Sequence, residues 1–346
     1  MKYPGRRLWS ELISAVVLAG CVSQPLTTGA DKTGAAPVPA SGINIPIEYY
    51  HLGNGLKVVL TQDASAPTVT VGVYYRIGFR IEPRDRTGFA HLFEHLMFQG
   101  STNLGKMEFV RLVESNGGAF NGSTRFDYTN YFEIVPAHTL ETILWAEADR
   151  MKGLAITQEN LVNQQGVVKN EVNDNVLNQP YGGFPWISMP QLANENWYNA
   201  HNFYGDFAHI DAATLEDARA FFDTYYTPGN AVLVVAGDFE SAQARAWIEK
   251  YFAPLPARAQ VAQPDISEPP QLREKRKSYV DPLAPRPGLA VAWHVPERGT
   301  PEHYAFGLLD EILLQGEDSA LWQKLVQERG YSSGVGGGIN LLGNMF

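Results

Sequence analysis

The chain has 346 residues, 45% hydrophobic and 18% charged, which is length enough for two domains and apolar content enough for ordinary buried cores. Its formal net charge is −10 and it carries one cysteine. An acidic chain has no electrostatic footprint for nucleic acid, and a single cysteine excludes a disulfide framework and a thiolate metal site.

From the N-terminus, Lys2, Arg6 and Arg7 form a basic start, followed by a short apolar run at 12–19. That run is too short to span a bilayer as an ordinary helix, so residues 1–20 are expected to be a signal peptide. It ends in Leu18-Ala19-Gly20-Cys21, which resembles the bacterial lipobox. The resemblance implies lipidation of Cys21, attachment to a membrane (the outer one) through that lipid alone, and a periplasmic location. Residues 22–44 are rich in Ser, Thr, Pro, Gly and Ala, cannot bury a core, and read as a flexible tether.

Strands are expected at 56–62 and 68–75, where β-branched and apolar residues run between turn formers. A helix follows at 87–99, with Phe89, Leu92, Phe93 and Leu96 at helical spacing, and a shorter one at 107–115, stopped by Gly117-Gly118. Segments 119–125 and 130–135 read as strands on either side of Phe126-Asp127. A helix is expected at 138–152, and Thr157 can cap another that runs to about 178, before Pro180. The tract 181–207, crowded with aromatic, Gly, Pro and Asn residues, is expected to be irregular, with Trp186, Trp197 and Tyr198 packing. A helix at 215–226, a buried strand at 230–236 and a helix at 242–252 complete this part. A Pro- and Ala-rich stretch then marks a linker, and beyond it a strand is expected at 289–295 and helices at 302–314 and 320–327.

Within the first of these helices stands His91-Leu92-Phe93-Glu94-His95. Residues four apart on a helix share a face, so both imidazoles leave the same side, with Glu94 close to that face. Two imidazoles suit Zn²⁺, which also accepts carboxylate oxygen in tetrahedral geometry, and H-x-x-E-H is the inverzincin motif. Two histidines and a glutamate inside an apolar run are otherwise costly.

The longer stretch Gly88-Phe-Ala-His-Leu-Phe-Glu-His-Leu-Met-Phe-Gln-Gly-Ser101 resembles the motif of the pitrilysin, insulysin and mitochondrial-processing-peptidase family of metallopeptidases. In that family a Glu about 76 positions downstream completes the zinc site, and that position here is Glu171. The resemblance therefore implies one zinc per chain on His91, His95 and Glu171. Gly117-Gly118-Ala119-Phe120-Asn121-Gly122-Ser123-Thr124 is similar to the family's edge strand, which implies that Gly118, Ala119, Phe120 and Asn121 bind substrate. Segment 222–238 resembles the family's last helix-to-strand crossover, and 318–331 looks like the opening of its metal-free second half. One departure is Gln164, seven positions before Glu171, where members often carry an acidic residue.

The expected architecture is α+β. A two-layer domain at 45–256, with a mostly antiparallel sheet covered by helices, would hold the zinc. A linker at 257–274 and part of a second, similar domain at 275–346 would follow, that domain looking cut short. The implied chemistry is peptide-bond hydrolysis by a zinc-activated water with Glu94 as general base, on peptides or unfolded segments bound as an extended strand. A homologous partner subunit or self-association is expected, because the substrate-holding Arg and Tyr of two-part members cannot be placed here. The rival reading is a lipid-anchored, inactive or partner-dependent subunit. His201, Tyr204 and His209 could line the cleft; His294 and His303 have no metal-ligand spacing.

Overall fold

The computed structural model describes residues 45–339. The signal peptide, Cys21 and the tether lie outside the described residues. Six strands form one sheet: β1 Glu48–His51, β2 Lys57–Gln62, β3 Thr68–Tyr75, β4 Ala119–Thr124, β5 Thr129–Pro136 and β6 Ala231–Gly237. Their order is β1-β2-β6-β3-β5-β4, and every pairing is antiparallel except β2 with β6. β6 pairs along its whole length with β3, Val235 opposite Val71 and Leu233 opposite Val73.

Alternation assigns the faces. Val69, Val71, Val73 and Tyr75 of β3, Tyr131 and Val135 of β5, and Leu233 and Val235 of β6 are all buried. The layer over them is built from α1 Phe89–Leu96, α2 Glu108–Ser115, α3 Leu140–Lys152, α4 Gln158–Val172 and, further on, α8 Leu215–Tyr225 and α9 Ser241–Phe252. Leu140, Ile143 and Leu144 of α3 and Ile248 and Phe252 of α9 join the same cluster. Thr157 caps α4 by accepting the Asn160 N–H at 3.2 Å, as its sequence position suggests.

Three expectations on elements need correction. Strand β1 escapes the sequence reading because it is four residues long and half exposed; only its pairing with β2 makes it a strand. The tract 181–207 is not wholly irregular: α5 Ser188–Ala193, α6 Trp197–Ala200 and the start of α7 Phe207–Asp211 lie in it, and Asn196 and Asp206 cap the latter two. Trp186 in the same tract does not pack, being largely exposed. The strand expected at 289–295 is not formed. Leu289 and Trp293 there are 90% and 76% exposed, and no described strand offers that segment a ladder. Downstream, α10 Pro301–Leu314 is a helix, followed by a wide helical turn, Trp322–Glu328.

One feature of the core is ionic. Arg150 of α3 reaches Glu147 one turn back and Glu133 of β5 at 3.3 Å, all three with side chains at most 1% exposed. Its guanidinium also lies 3.8 Å from the centre of the Phe109 ring and 5.0 Å from that of Tyr131. Burial, and then the charge of Glu147, push the Glu133 carboxyl well above the usual carboxylate range. Truncating one member of a buried ion network typically costs about 3 to 5 kcal/mol. Arg150→Met is expected to lower the denaturation midpoint accordingly. The parent itself should lose stability from pH 5 to pH 8, because the folded chain keeps the Glu133 proton that the unfolded chain releases. A variant as stable as the parent at both pH values contradicts this account.

Candidate metal centre

Helix α1 is set by its first turn. Gly88 has φ 88°, and a Cβ there would sit 2.9 Å from the Ile210 side chain, so glycine is required on both counts. The Glu82 carboxylate, fully buried, accepts the backbone N–H of Gly88 at 2.9 Å and of Ala90 at 2.5 Å. It thereby satisfies two of the four donors that a helix start leaves open. Phe89 and Phe93 stack on Phe221, with ring centres 5.5 and 4.8 Å apart, and lock the rotation of the helix.

With that face turned inward, His91 and His95 stand together, Nε2 to Nε2 at 3.3 Å. Glu171 comes from α4, which packs across α1 through Leu161, Val168 and other buried residues. Its Oε1 lies 3.5 Å from His91 Nε2 and its Oε2 3.2 Å from His95 Nε2. Among the described residues, these three are the group of His, Cys, Asp or Glu side chains whose ligand atoms all fall within 4.8 Å of one another. A tetrahedral zinc with bonds of about 2.0 to 2.1 Å needs ligand atoms roughly 3.3 Å apart, so the spacing fits that ion.

The electrostatics suit a cation as well. Burial, and then the neighbouring His91, hold the His95 imidazole below its usual range, which keeps its lone pair available. A hydrogen bond with His91 is the main influence lowering the Glu171 carboxyl, which is therefore an anion. Gln164 lies two helical turns before Glu171 and hydrogen-bonds His95, so an amide supports this ligand. His91 Nδ1 is buried without a hydrogen-bond partner among the described residues.

Glu94 is not part of the trio. Its Oε2 accepts the Thr124 hydroxyl at 2.6 Å, which turns the carboxylate toward β4. The strand comes close because residue 122 is glycine: a Cβ there would lie 3.2 Å from Glu94 Cγ. β4 is the last strand of the sheet, paired on one side with β5. Ala119 and Asn121 are exposed, Phe120 is half-buried, and its ring lies 5.3 Å from that of Phe98. Gly118 has a packing reason to be glycine, since a Cβ would meet Val135 at 2.6 Å and Val113 at 2.9 Å.

His201 and His209, expected to line the cleft, have structural partners. The His201 nitrogens face the Trp197 and Phe79 carbonyls at 2.9 and 2.8 Å, and His209 Nδ1 meets the Thr87 hydroxyl at 2.8 Å. Sequence reasoning missed Glu82 and Thr124. Both act on α1 from outside it, and no local pattern marks them.

A two-layer sheet-and-helix domain carrying an inverted His-x-x-Glu-His helix beside a glutamate-bearing helix is the arrangement described above, and the comparisons agree on its class. The family model described as Insulinase (Peptidase family M16) matches residues 57–182, and that described as Peptidase M16 inactive domain matches residues 212–346. The chain belongs to the M16 peptidase family. The zinc protease PqqE of Helicobacter pylori is 28% identical over 291 residues, 82% of this chain and 64% of that protein. The mitochondrial-processing peptidase subunit beta of Neurospora crassa is 26% identical over 338 residues, 91% of this chain and 65% of that one. The chain thus spans a little under two thirds of each of these two relatives. A crystal structure of a protease from Helicobacter pylori superposes with a TM-score of 0.74 at 27% identity, covering 84% of this chain and 70% of that one. The second family match begins before α8, inside the layer that covers the first sheet.

Burial pushes the Glu82 carboxyl up to about 8 against the pull of its two N–H donors. The folded chain therefore keeps a proton that the unfolded chain releases near pH 4.5, and this contribution to stability is lost as pH rises from there to about 8. The parent is expected to lose stability across that window, whereas Glu82→Gln loses less, read as denaturant midpoints at several pH values. Parallel pH profiles for the two chains count against this role of Glu82.

Proposed function

We propose that the protein is a zinc-dependent endopeptidase holding one zinc on His91, His95 and Glu171, with Glu94 as the general base. The observation that carries this reading is the spacing of the three side chains, whose imidazole nitrogens and nearest carboxylate oxygens lie 3.2 to 3.5 Å apart, with a separate carboxylate beside them. Zinc bound there would supply the Lewis acidity that peptide hydrolysis needs.

The chain's own residues supply the rest. Glu94 takes the proton of the attacking water on a carboxylate oxygen and later hands it to the departing amine. The Thr124 hydroxyl, donating to Oε2, fixes the rotamer of that carboxylate and leaves the other oxygen to the water. Peptide or unfolded substrate adds as an extended strand along the open side of β4, next to Gly118, Ala119, Phe120 and Asn121, with backbone groups giving affinity. Phe98 and Phe120 offer an apolar surface for one of its side chains.

Residues 1–20 direct the chain to the periplasm, Cys21 carries the lipid anchor and 22–44 form the tether. The zinc-binding domain occupies 45–256, a linker 257–274, and the second domain begins at 275. A homologous partner, or a second copy of the chain, supplies the wall facing the zinc. What favours partner dependence is that the match at 212–346 is to a model described as an inactive domain, and that the Neurospora relative is a named subunit. In that second reading the anchored chain is one subunit of a two-chain peptidase.

Purified protein is expected to bind about one zinc, lost in His91→Ala, His95→Ala and Glu171→Ala, because two ligands rarely hold catalytic zinc. Stoichiometric metal in His91→Ala, measured by atomic emission, refutes the site. Glu94→Gln should keep its zinc and fold and lose about 10² to 10⁴-fold in peptide cleavage, the usual range for a general base. Loss of metal in Glu94→Gln and retention in Glu171→Gln would mean that the two glutamates have exchanged roles.

A further inference from the structure

Beside the metal centre lies a cavity of about 480 Å³ that the proposed chemistry does not use. Val172, the residue after Glu171, lines it, and so does Tyr204, whose ring packs on Phe79, itself packed on His91. The cavity and the zinc ligands therefore share a wall. Leu177, Ile187 and Phe207 give it apolar surface.

Its lining holds one arginine, Arg84, and one carboxylate, Asp206. Arg84 lies over the Trp197 and Tyr198 rings, its guanidinium carbon 5.0 and 5.3 Å from their centres. Those two rings stand at 82° to each other, so the guanidinium lies in the corner between them, and its outward N–H donors stay available. Among the described residues, no acceptor takes them, nor the Tyr204 hydroxyl, nor His209 Nε2. Asp206, the carboxylate of the lining, has Oδ1 engaged by the Ala208 N–H at 2.8 Å. The cavity thus offers a planar fork, the Tyr204 hydroxyl and His209 Nε2 beside apolar surface. A carboxylate is the partner that accepts from such a fork in two parallel bonds.

We infer that this cavity is a carboxylate-binding subsite, in which Arg84, held against Trp197 and Tyr198, receives an acidic side chain or the C-terminal carboxylate of a bound peptide next to an apolar residue. The inference rests on the peptidase reading only in taking the ligand to be a peptide. It makes Arg84 a specificity residue acting at a distance from the scissile bond.

The test is calorimetric binding to the full chain carrying Glu94→Gln, which leaves peptides uncut. The probes are an octapeptide with one Leu-Glu pair and its Leu-Gln counterpart, each with a free or an amidated C-terminus. Removing the recognised carboxylate is expected to weaken binding about tenfold, as for loss of a charge-assisted bidentate pair. The arm that responds, Glu→Gln or amidation, identifies its source. Arg84→Met, which keeps the apolar stem, should abolish the difference, and Arg84→Lys should restore part of it. Equal affinity for all four peptides, or a difference that survives Arg84→Met, overturns the inference. The preference should persist in His91→Ala, so that a failure of the zinc assignment and a failure of this subsite are told apart.

Discussion

Three donor atoms from two helices must come within about 3.3 Å of one another if they are to share one tetrahedral ion, and most of this structure serves that constraint. The two histidines need only a helix. Glu171 needs α4 to cross α1 at one depth and one rotation, and buried residues set both. Phe89 and Phe93 fix α1 against Phe221, while Leu161, Val168 and Val172 seat α4 in the core. A slip of one residue in either helix turns a ligand by about 100° and dissolves the site.

The start of α1 is held with unusual tightness. Gly88 and Gly205 approach so closely that a Cβ on Gly205 would lie 2.5 Å from the Gly88 backbone, and Glu82 caps the same turn from a fully buried position. Burying a carboxyl group is costly unless donors meet it, and the two backbone N–H groups offset that cost only in part. Packing and capping thus fix where α1 begins, two residues before its first histidine. Positioning of this precision is what a site whose geometry must be ready before substrate arrives requires.

The edge strand depends on the same core. β5 carries Glu133, which pairs across the ladder with Phe120 of β4 and inward with Arg150. The Arg150 guanidinium lies 5.5 Å from the ring centre of Phe98, which in turn faces Phe120. The buried charges therefore support the aromatic surface beside the open side of the sheet. That side presents backbone groups which an extended chain can pair, the usual hazard of an edge strand and, in the proposed peptidase, the means of recognition.

Much of this was legible in the residues. Helical spacing alone sets His91 and His95 on one face, and alternating or continuous apolar runs of β-branched residues mark β2, β3 and β6, because both are local consequences of backbone geometry. Glu171 was reachable only through resemblance to a family, since nothing local ties a position so distant in sequence to the first helix. The alternating segment 289–295 shows the limit: its pattern suits a strand, but a strand exists only where a neighbour pairs with it, and the fold supplies none among the described residues. Conversely, β1 has a weak pattern and a partner, and so it forms. Glu82, Thr124, Arg84 and the Glu133–Arg150–Glu147 network acquire their roles from groups far away in the chain. The sequence by itself determined which residues are candidates for the chemistry and which faces are apolar; only the tertiary structure decided which of them meet, because hydrogen bonds and burial between distant segments depend on how the elements pack.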